Sequence, residues 1–206
     1  MVLVKKNMNK YPKDLSNLIH YLKKLPGVGK KTAERFAFQI ISWQEREQQR
    51  FSELLSRVHK TIVPCSVCGC LMQQPPCAFC SDASRNPHTI CIVASPKDVF
   101  AFEETRAYEG LYHVLGGLLS PIDGVGPEKL QIHRLSERVK NLPVEEMVLA
   151  FDSTIEGDAT AFYLKKIFQS DSMKISRLAL GLPMGSSLDY IDESTLSRAF
   201  FGRQAF

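Results

Sequence analysis

The hydrophobic rhythm of the chain changes once along its length. Near the start, Leu15, Leu18, Ile19, Leu22 and Leu25 recur at helical spacing, which predicts a helix with Asp14 as its cap. Pro26 and Gly27 stop it, Gly29 follows, and Ala33, Phe36, Ala37, Ile40 and Ile41 form a second stripe. From residue 89 the runs shorten. "TICIVAS" (89–95), "YHVLGG" (112–117), "EMVLAFD" (146–152) and "KISRLAL" (174–180) read as strands. Between them, "PKDVFAFEET", a segment running through Val139, and one from about Gly157 to Phe168 read as helices. Such alternation predicts a small, mostly parallel sheet with right-handed crossovers. Ligands of these sheets meet the carboxyl ends of strands, where Ala94–Ser95 and Asp152 fall. Gly124-Val125-Gly126 has no amphipathic helix or basic residue beside it and reads as a loop. The tail has a glycine-broken apolar start, then a short helix with Leu196, Ala199 and Phe200 on one face, a docking segment by pattern.

Composition narrows the class. A chain of 206 residues, 44% hydrophobic and 23% charged, is an ordinary globular protein of one to two domains. No apolar run approaches the length of a membrane span, and the opening MVLVKKNMNK has no secretory core, so the expected address is cytoplasmic. The net charge of +4 conceals an imbalance. Residues 1–62 hold 13 Lys/Arg against 5 Asp/Glu, a balance of +8, and the remainder is −4. A basic third on an acidic body points to an anionic partner, nucleic acid first, although a solvated helical surface accounts for the charge equally well.

The stretch "LKKLPGVGKKTAERFAFQII" sharpens that choice. Two glycines around one apolar residue let the backbone turn tightly and approach a ligand. The helix beyond them opens with unpaired N–H groups, a ready place for a phosphate oxygen. Lys30, Lys31 and Arg35 stand at that same end, where cations oppose the helix dipole unless an anion is bound. The segment resembles the helix-hairpin-helix module of DNA repair proteins, which grips the phosphodiester backbone without reading bases. That resemblance implies DNA contacts at Gly27, Gly29, Lys30, Lys31 and Arg35. A plain packing hairpin is the competing reading.

"CSVCGCLMQQPPCAFC" places Cys65, Cys68, Cys77 and Cys80 in a C-x2-C-x8-C-x2-C array. Each pair presents two thiolates to one ion, and four thiolates leave no open position, so the array predicts a structural Zn²⁺ site. A disulfide framework needs an oxidising compartment that nothing else suggests, and an iron–sulfur cluster lacks an accompanying redox motif. Cys70 and Cys91 read as small core residues. The ion's expected task is to hold a short, proline-rich segment with too little apolar surface to fold alone.

The two strand ends resemble the Toprim fold of type IA topoisomerases, primases and certain nucleases. Catalytic members end the first strand in Glu and the third in Asp-x-Asp. Here "CIVASPKDV" has Ala94 in the glutamate position, and "FDSTIEGDA" keeps Asp152 but puts Thr154 in the second aspartate position. A methyl group carries no proton, and a threonine hydroxyl is a weak, uncharged Mg²⁺ ligand. The resemblance therefore implies a degenerate acidic site at Asp152, Glu156 and Asp158. Those acids remain as a partner contact, a weak Mg²⁺ site, or acids capping the following helix.

Taken together, the whole chain resembles the RecR family of bacterial recombination proteins, including "LSPIDGVGPEKL" in the body and "GLPMGSSLDYIDESTLSRAFFGR" in the tail. The fold class implied is α/β and multi-modular. Its parts are a helix-hairpin-helix region (1–62), a four-cysteine zinc finger (63–88), a Toprim-like, mostly parallel sheet with flanking helices (89–183) and a C-terminal assembly segment (184–206). The function implied is a non-catalytic mediator of DNA repair and recombination, cytoplasmic and nucleoid-associated. It would bind DNA without sequence preference as a homo-oligomer, a tetrameric ring, and act with RecO and RecF to load RecA. Two alternatives stand beside it: a Mg²⁺-dependent Toprim phosphoryl transferase, primase- or topoisomerase-like, and an adaptor whose basic face binds an acidic protein.

Overall fold

The structure is a computed structural model that describes residues 10–169, 173–179 and 181–203. The first nine residues, Leu180 of the fourth expected strand and the last three residues of the tail lie outside the described residues. Contacts divide the chain into two compact units, residues 1–60 and 61–206.

In the first unit, helices α1 (Lys13–Leu22) and α2 (Lys30–Ile41) pack against each other. Ala33 and Ala37 are fully buried against Ile19, and Leu15, Leu18, Leu22 and Val28 close the contact. Two alanines on one face let the helix axes approach closely, so a small core suffices. The cap expectation is corrected: Pro12 is the N-cap of α1, and Asp14 lies inside the first turn. Pro12 fixes φ near the value a helix start needs, leaving Asp14 to complement the dipole. Leu25 lies beyond α1 and is exposed, because the turn begins before it. Helix α3 (Glu45–Thr61), not among the expected elements, is largely polar and has no buried residue, although Phe51, Leu54, Leu55 and Val58 recur along it at helical spacing. Gln48 from α3 donates from Nε2 to the Ile40 carbonyl (2.8 Å), satisfying an end group of α2.

The second unit is built on four parallel strands in the order β4 (Gly110–Val114), β3 (Asn86–Val93), β5 (Glu146–Ala150), β6 (Lys174–Arg177). Side chains alternate between its faces. Ile90, Ile92, Leu111, Met147 and Leu149 join Leu135 of α5 (Ile132–Asn141) and Leu164 of α6 (Ile155–Phe168) on one side. Cys91, Val93, Tyr112, Val114 and Ala150 join Val99 of α4 (Pro96–Thr105) and the clustered cysteines on the other. The finger carries its own short antiparallel pair, β1 (Val63–Pro64) and β2 (Leu71–Met72). Gly124-Val125-Gly126 lies in a loop, where Val125 pairs with Ser120 across the intervening turn. The tail ends in α7 (Glu193–Phe201), capped by Asp192, with Leu196 and Phe200 exposed. Among the described residues no helix is long and apolar enough to cross a membrane.

Two positions in this unit carry measurable consequences. A Cβ built on Gly157 would meet the Asp152 carbonyl oxygen at 2.1 Å, because the first turn of α6 tucks over the end of β5. Overpacking of about 3 kcal/mol, offset by about 1 kcal/mol of helix propensity, leaves Gly157→Ala a net loss of about 2 kcal/mol, read as a lowered urea midpoint. His113 is the second. It is 1% exposed, its Nε2–H donates to the Gln131 carbonyl (3.1 Å), and its Nδ1 has no partner. Burial, helped by the charges of Arg138 and Arg134, pushes its pKa from 6.5 to about 4 against the opposing pull of the Gln131 carbonyl. Between those values the unfolded chain binds a proton that the folded chain refuses. Stability therefore falls as pH drops from 6.5 towards 4, by about 3 kcal/mol in all. His113→Gln should flatten that part of the pH profile in urea titrations.

Candidate metal centre and nucleic-acid interface

Cys65 and Cys68 flank the first knuckle of the finger, and Cys77 and Cys80 the second. Gly69 (φ 77°) turns the first, letting its N–H donate to the Cys65 carbonyl (2.9 Å). A Cβ at Gly69 would meet Val114 at 3.0 Å, so the knuckle lies directly against β4. The Val114 N–H donates to the Cys68 carbonyl (2.8 Å), which ties the knuckle to the open side of this edge strand.

The four sulfur atoms lie within 4.8 Å of one another, and among the described residues they are the one cluster of His, Cys, Asp or Glu close enough to hold a metal. Sulfur separations are 3.7 Å for Cys65–Cys80 and 3.6 Å for Cys68–Cys77. A disulfide requires about 2.05 Å, whereas a tetrahedral ion with Zn–S bonds of about 2.3 Å spaces its sulfurs by about 3.8 Å. The residues fit zinc. Burial pushes the Cys77 and Cys80 thiols up, so holding all four as thiolates needs a dication among them. The Val67 N–H donates to Cys65 Sγ (3.4 Å), a further support for a thiolate there. Cys70 and Cys91 are buried in the adjoining core.

At the strand ends the Toprim-like cleft persists as a cavity of about 210 Å³ lined by Ala94, Asp98, Ala101, Phe102, Asp152 and Leu178. Several side chains around it cap helices. Ser95 and Asp98 form a capping box on α4, with the Ser95 N–H donating to the Asp98 carboxylate (2.8 Å). Thr154, in the second aspartate position, caps α6 by accepting from the Gly157 N–H (3.1 Å). The capping role thus belongs to Thr154 rather than to the acids, because its short hydroxyl sits at the N-cap itself. Asp152 is exposed, while Glu156 and Asp158 lie in the first turn of α6. Asp158 faces Arg177 of β6 (Nη1–Oδ1 2.6 Å) and Arg198 of α7 (Nη2–Oδ2 3.3 Å). The hydrogen bond from Arg177, with the nearby Arg198 charge, holds this carboxyl below its usual range. A carboxylate held by two guanidinium groups is poorly placed to take up Mg²⁺. Neither arginine has a sequence signal, since both reach Asp158 from distant elements.

In the first unit, Gly27 has φ 74° and the Val28 N–H closes the turn onto the Leu25 carbonyl (3.1 Å). Gly29 is the N-cap of α2, with no side-chain cap and no acid in the first turn. A Cβ at Gly29 would meet nothing within 4 Å, and no positive φ is required there. The fold itself therefore does not demand glycine at that point. Lys30, Lys31 and Arg35 are all exposed.

Comparison with known proteins covers most of the chain. Family models match as the RecR helix-hairpin-helix over residues 15–59, the RecR four-cysteine zinc finger domain over 62–82, the Toprim domain over 88–179 and the RecR C-terminal region over 181–204. The chain is 52% identical over 197 residues to "Recombination protein RecR" of Protochlamydia amoebophila, covering 96% of this chain and 100% of the relative. The like-named protein of Chlamydia trachomatis serovar D is 48% identical over 203 residues, 97% and 100% of the two chains. That of Staphylococcus aureus strain MRSA252 is 45% identical over 193 residues, 94% and 98%.

Proposed function

Since the chain belongs to the RecR family of recombination proteins, we propose that it is a non-catalytic mediator that holds DNA through Gly27, Gly29, Lys30, Lys31 and Arg35. The observation that carries this reading is the start of α2: uncapped by any side chain, free of acids and flanked by exposed cations. Such an end offers N–H donors and charge to a phosphate, and open space at Gly29 admits the sugar–phosphate chain. Backbone contacts of this kind do not distinguish sequences.

A single clamp is weak. Several copies in a ring, four on this reading, would bind by multivalency and encircle the strand. The RecO- and RecF-like partners and the loading of RecA belong to the same proposal, as does a cytoplasmic, nucleoid-associated location. Absence of turnover is supported by Ala94, by the capping duty of Thr154 and by the arginines on Asp158. The four cysteines would hold zinc, which supplies a structural cross-link and no chemistry at the DNA.

The test pairs two measurements on the full chain. Native mass with and without DNA should show a multimer that retains DNA, with binding that weakens steeply as salt rises. Nicking and primer-synthesis assays with Mg²⁺ or Mn²⁺ should show no activity. Strand cleavage abolished by Asp152→Ala would replace this reading with the phosphoryl transferase.

A further inference from the structure

Three of the four clustered cysteines, Cys65, Cys68 and Cys77, are at most 4% exposed, whereas Cys80 is half-buried. Cys80 lines a cavity of about 390 Å³. Ser66 and Val67 of the first knuckle form one wall, and Arg134 and Arg138 of α5 form another. Arg138 is 8% exposed and donates from Nη1 to the Tyr112 carbonyl. Among the described residues neither arginine has a carboxylate within ion-pair distance. Glu137 shares the cavity wall, but its carboxylate lies 3.8 Å from His133. One solvent-reached sulfur thus shares a small, mainly apolar cavity with two guanidinium groups that have no ion-pair partner among the described residues.

We propose that Cys80 is a modification site at which a small peroxide opens the metal centre. The cavity admits hydrogen peroxide, and the arginine N–H groups can donate to the oxygen that leaves. The Cys80 thiolate attacks one peroxide oxygen: the S–O bond forms, the O–O bond breaks, and hydroxide departs and takes a proton from solvent. The sulfur loses two electrons and becomes a sulfenic acid. Cys65 Sγ, 3.7 Å away, then attacks that sulfur, forming an S–S bond and expelling a second hydroxide. One peroxide is reduced to two waters, two thiolates become one disulfide, and two thiolates remain, too few to retain the ion.

The experiment uses the zinc-loaded full chain, limiting hydrogen peroxide, a sulfenic-acid trap read by peptide mass spectrometry, and a zinc-sensitive dye. The trap should mark Cys80 first, one zinc should leave per peroxide consumed, and a Cys65–Cys80 disulfide should accumulate without the trap. Arg134→Met, on the exposed part of α5, should slow peroxide-driven release by about tenfold and leave release to a chelator unchanged. Val67→Phe, which narrows the cavity without altering charge, should also slow the peroxide reaction. First modification at Cys68 or Cys77, or peroxide rates unchanged in both variants, overturns the proposal.

Discussion

Cys77→Ser abolishes zinc binding, taking the metal content from about one ion per chain to none, and unfolds the finger. The four cysteines belong to the same cluster as Val93, Val99, Tyr112 and Val114. The segment between them contributes little other apolar surface, so binding of the ion supplies most of its folding free energy, on the order of 10 kcal/mol. Serine cannot replace a thiolate on a soft site. Loss of the finger then uncovers one face of the sheet next to α4. Elemental analysis reads the first effect. Loss of hydrogen-exchange protection at the Val114 amide, which donates to the Cys68 carbonyl, reads the second. The α1–α2 packing belongs to the other compact unit and should keep its protection. A chelator added to the unaltered chain should reproduce both changes. A variant that retained zinc, or lost it with an unchanged urea midpoint, would contradict this account of the site.

Lys30→Ala, Lys31→Ala and Arg35→Ala, combined, should weaken DNA binding by well over tenfold at low salt. Each cation that neutralises a phosphate releases about 0.9 of a counterion on duplex DNA, so the salt slope should fall by about 2.7. The loss should be alike on unrelated sequences, since these groups touch no base edge. Stability should move the other way, rising by a few tenths of a kcal/mol, because cations at a helix start oppose its dipole. Gly29→Ser gives an independent check. Serine is a better N-cap than glycine by a few tenths of a kcal/mol, yet its side chain enters the space a phosphate would use. Weakened DNA binding in a protein that is no less stable would separate recognition from folding. Unchanged affinity in both variants would place the contact elsewhere.

Legibility in the sequence followed how local the controlling physics is. Cysteine spacing declares a four-thiolate site because the two knuckles are set by neighbours along the chain. The strand pattern was readable for the same reason: β3 and β5 alternate or run apolar over a few residues, whatever covers them. Thr154 was visible as a departure from Asp-x-Asp, but its capping bond to Gly157 depends on where α6 begins. The glycine requirement at residue 157 comes from a carbonyl five positions earlier, brought close only by the turn. Arg177 and Arg198 approach Asp158 from 19 and 40 residues downstream, and no pattern announces such a meeting. Helix α3 is legible in the stripe Phe51, Leu54, Leu55 and Val58, but polar residues dominate it and none of its side chains is buried, so no core contact marks it.

The bond between Val114 and Cys68 also bears on how the protein behaves in a producing cell. Strand β4 is the outer rung of a parallel ladder, and an uncovered rung recruits other chains. The finger works here as a bumper, so metal starvation during synthesis should appear as inclusion bodies before it appears as lost activity. Supplementing the culture medium with zinc should shift the product from pellet to supernatant.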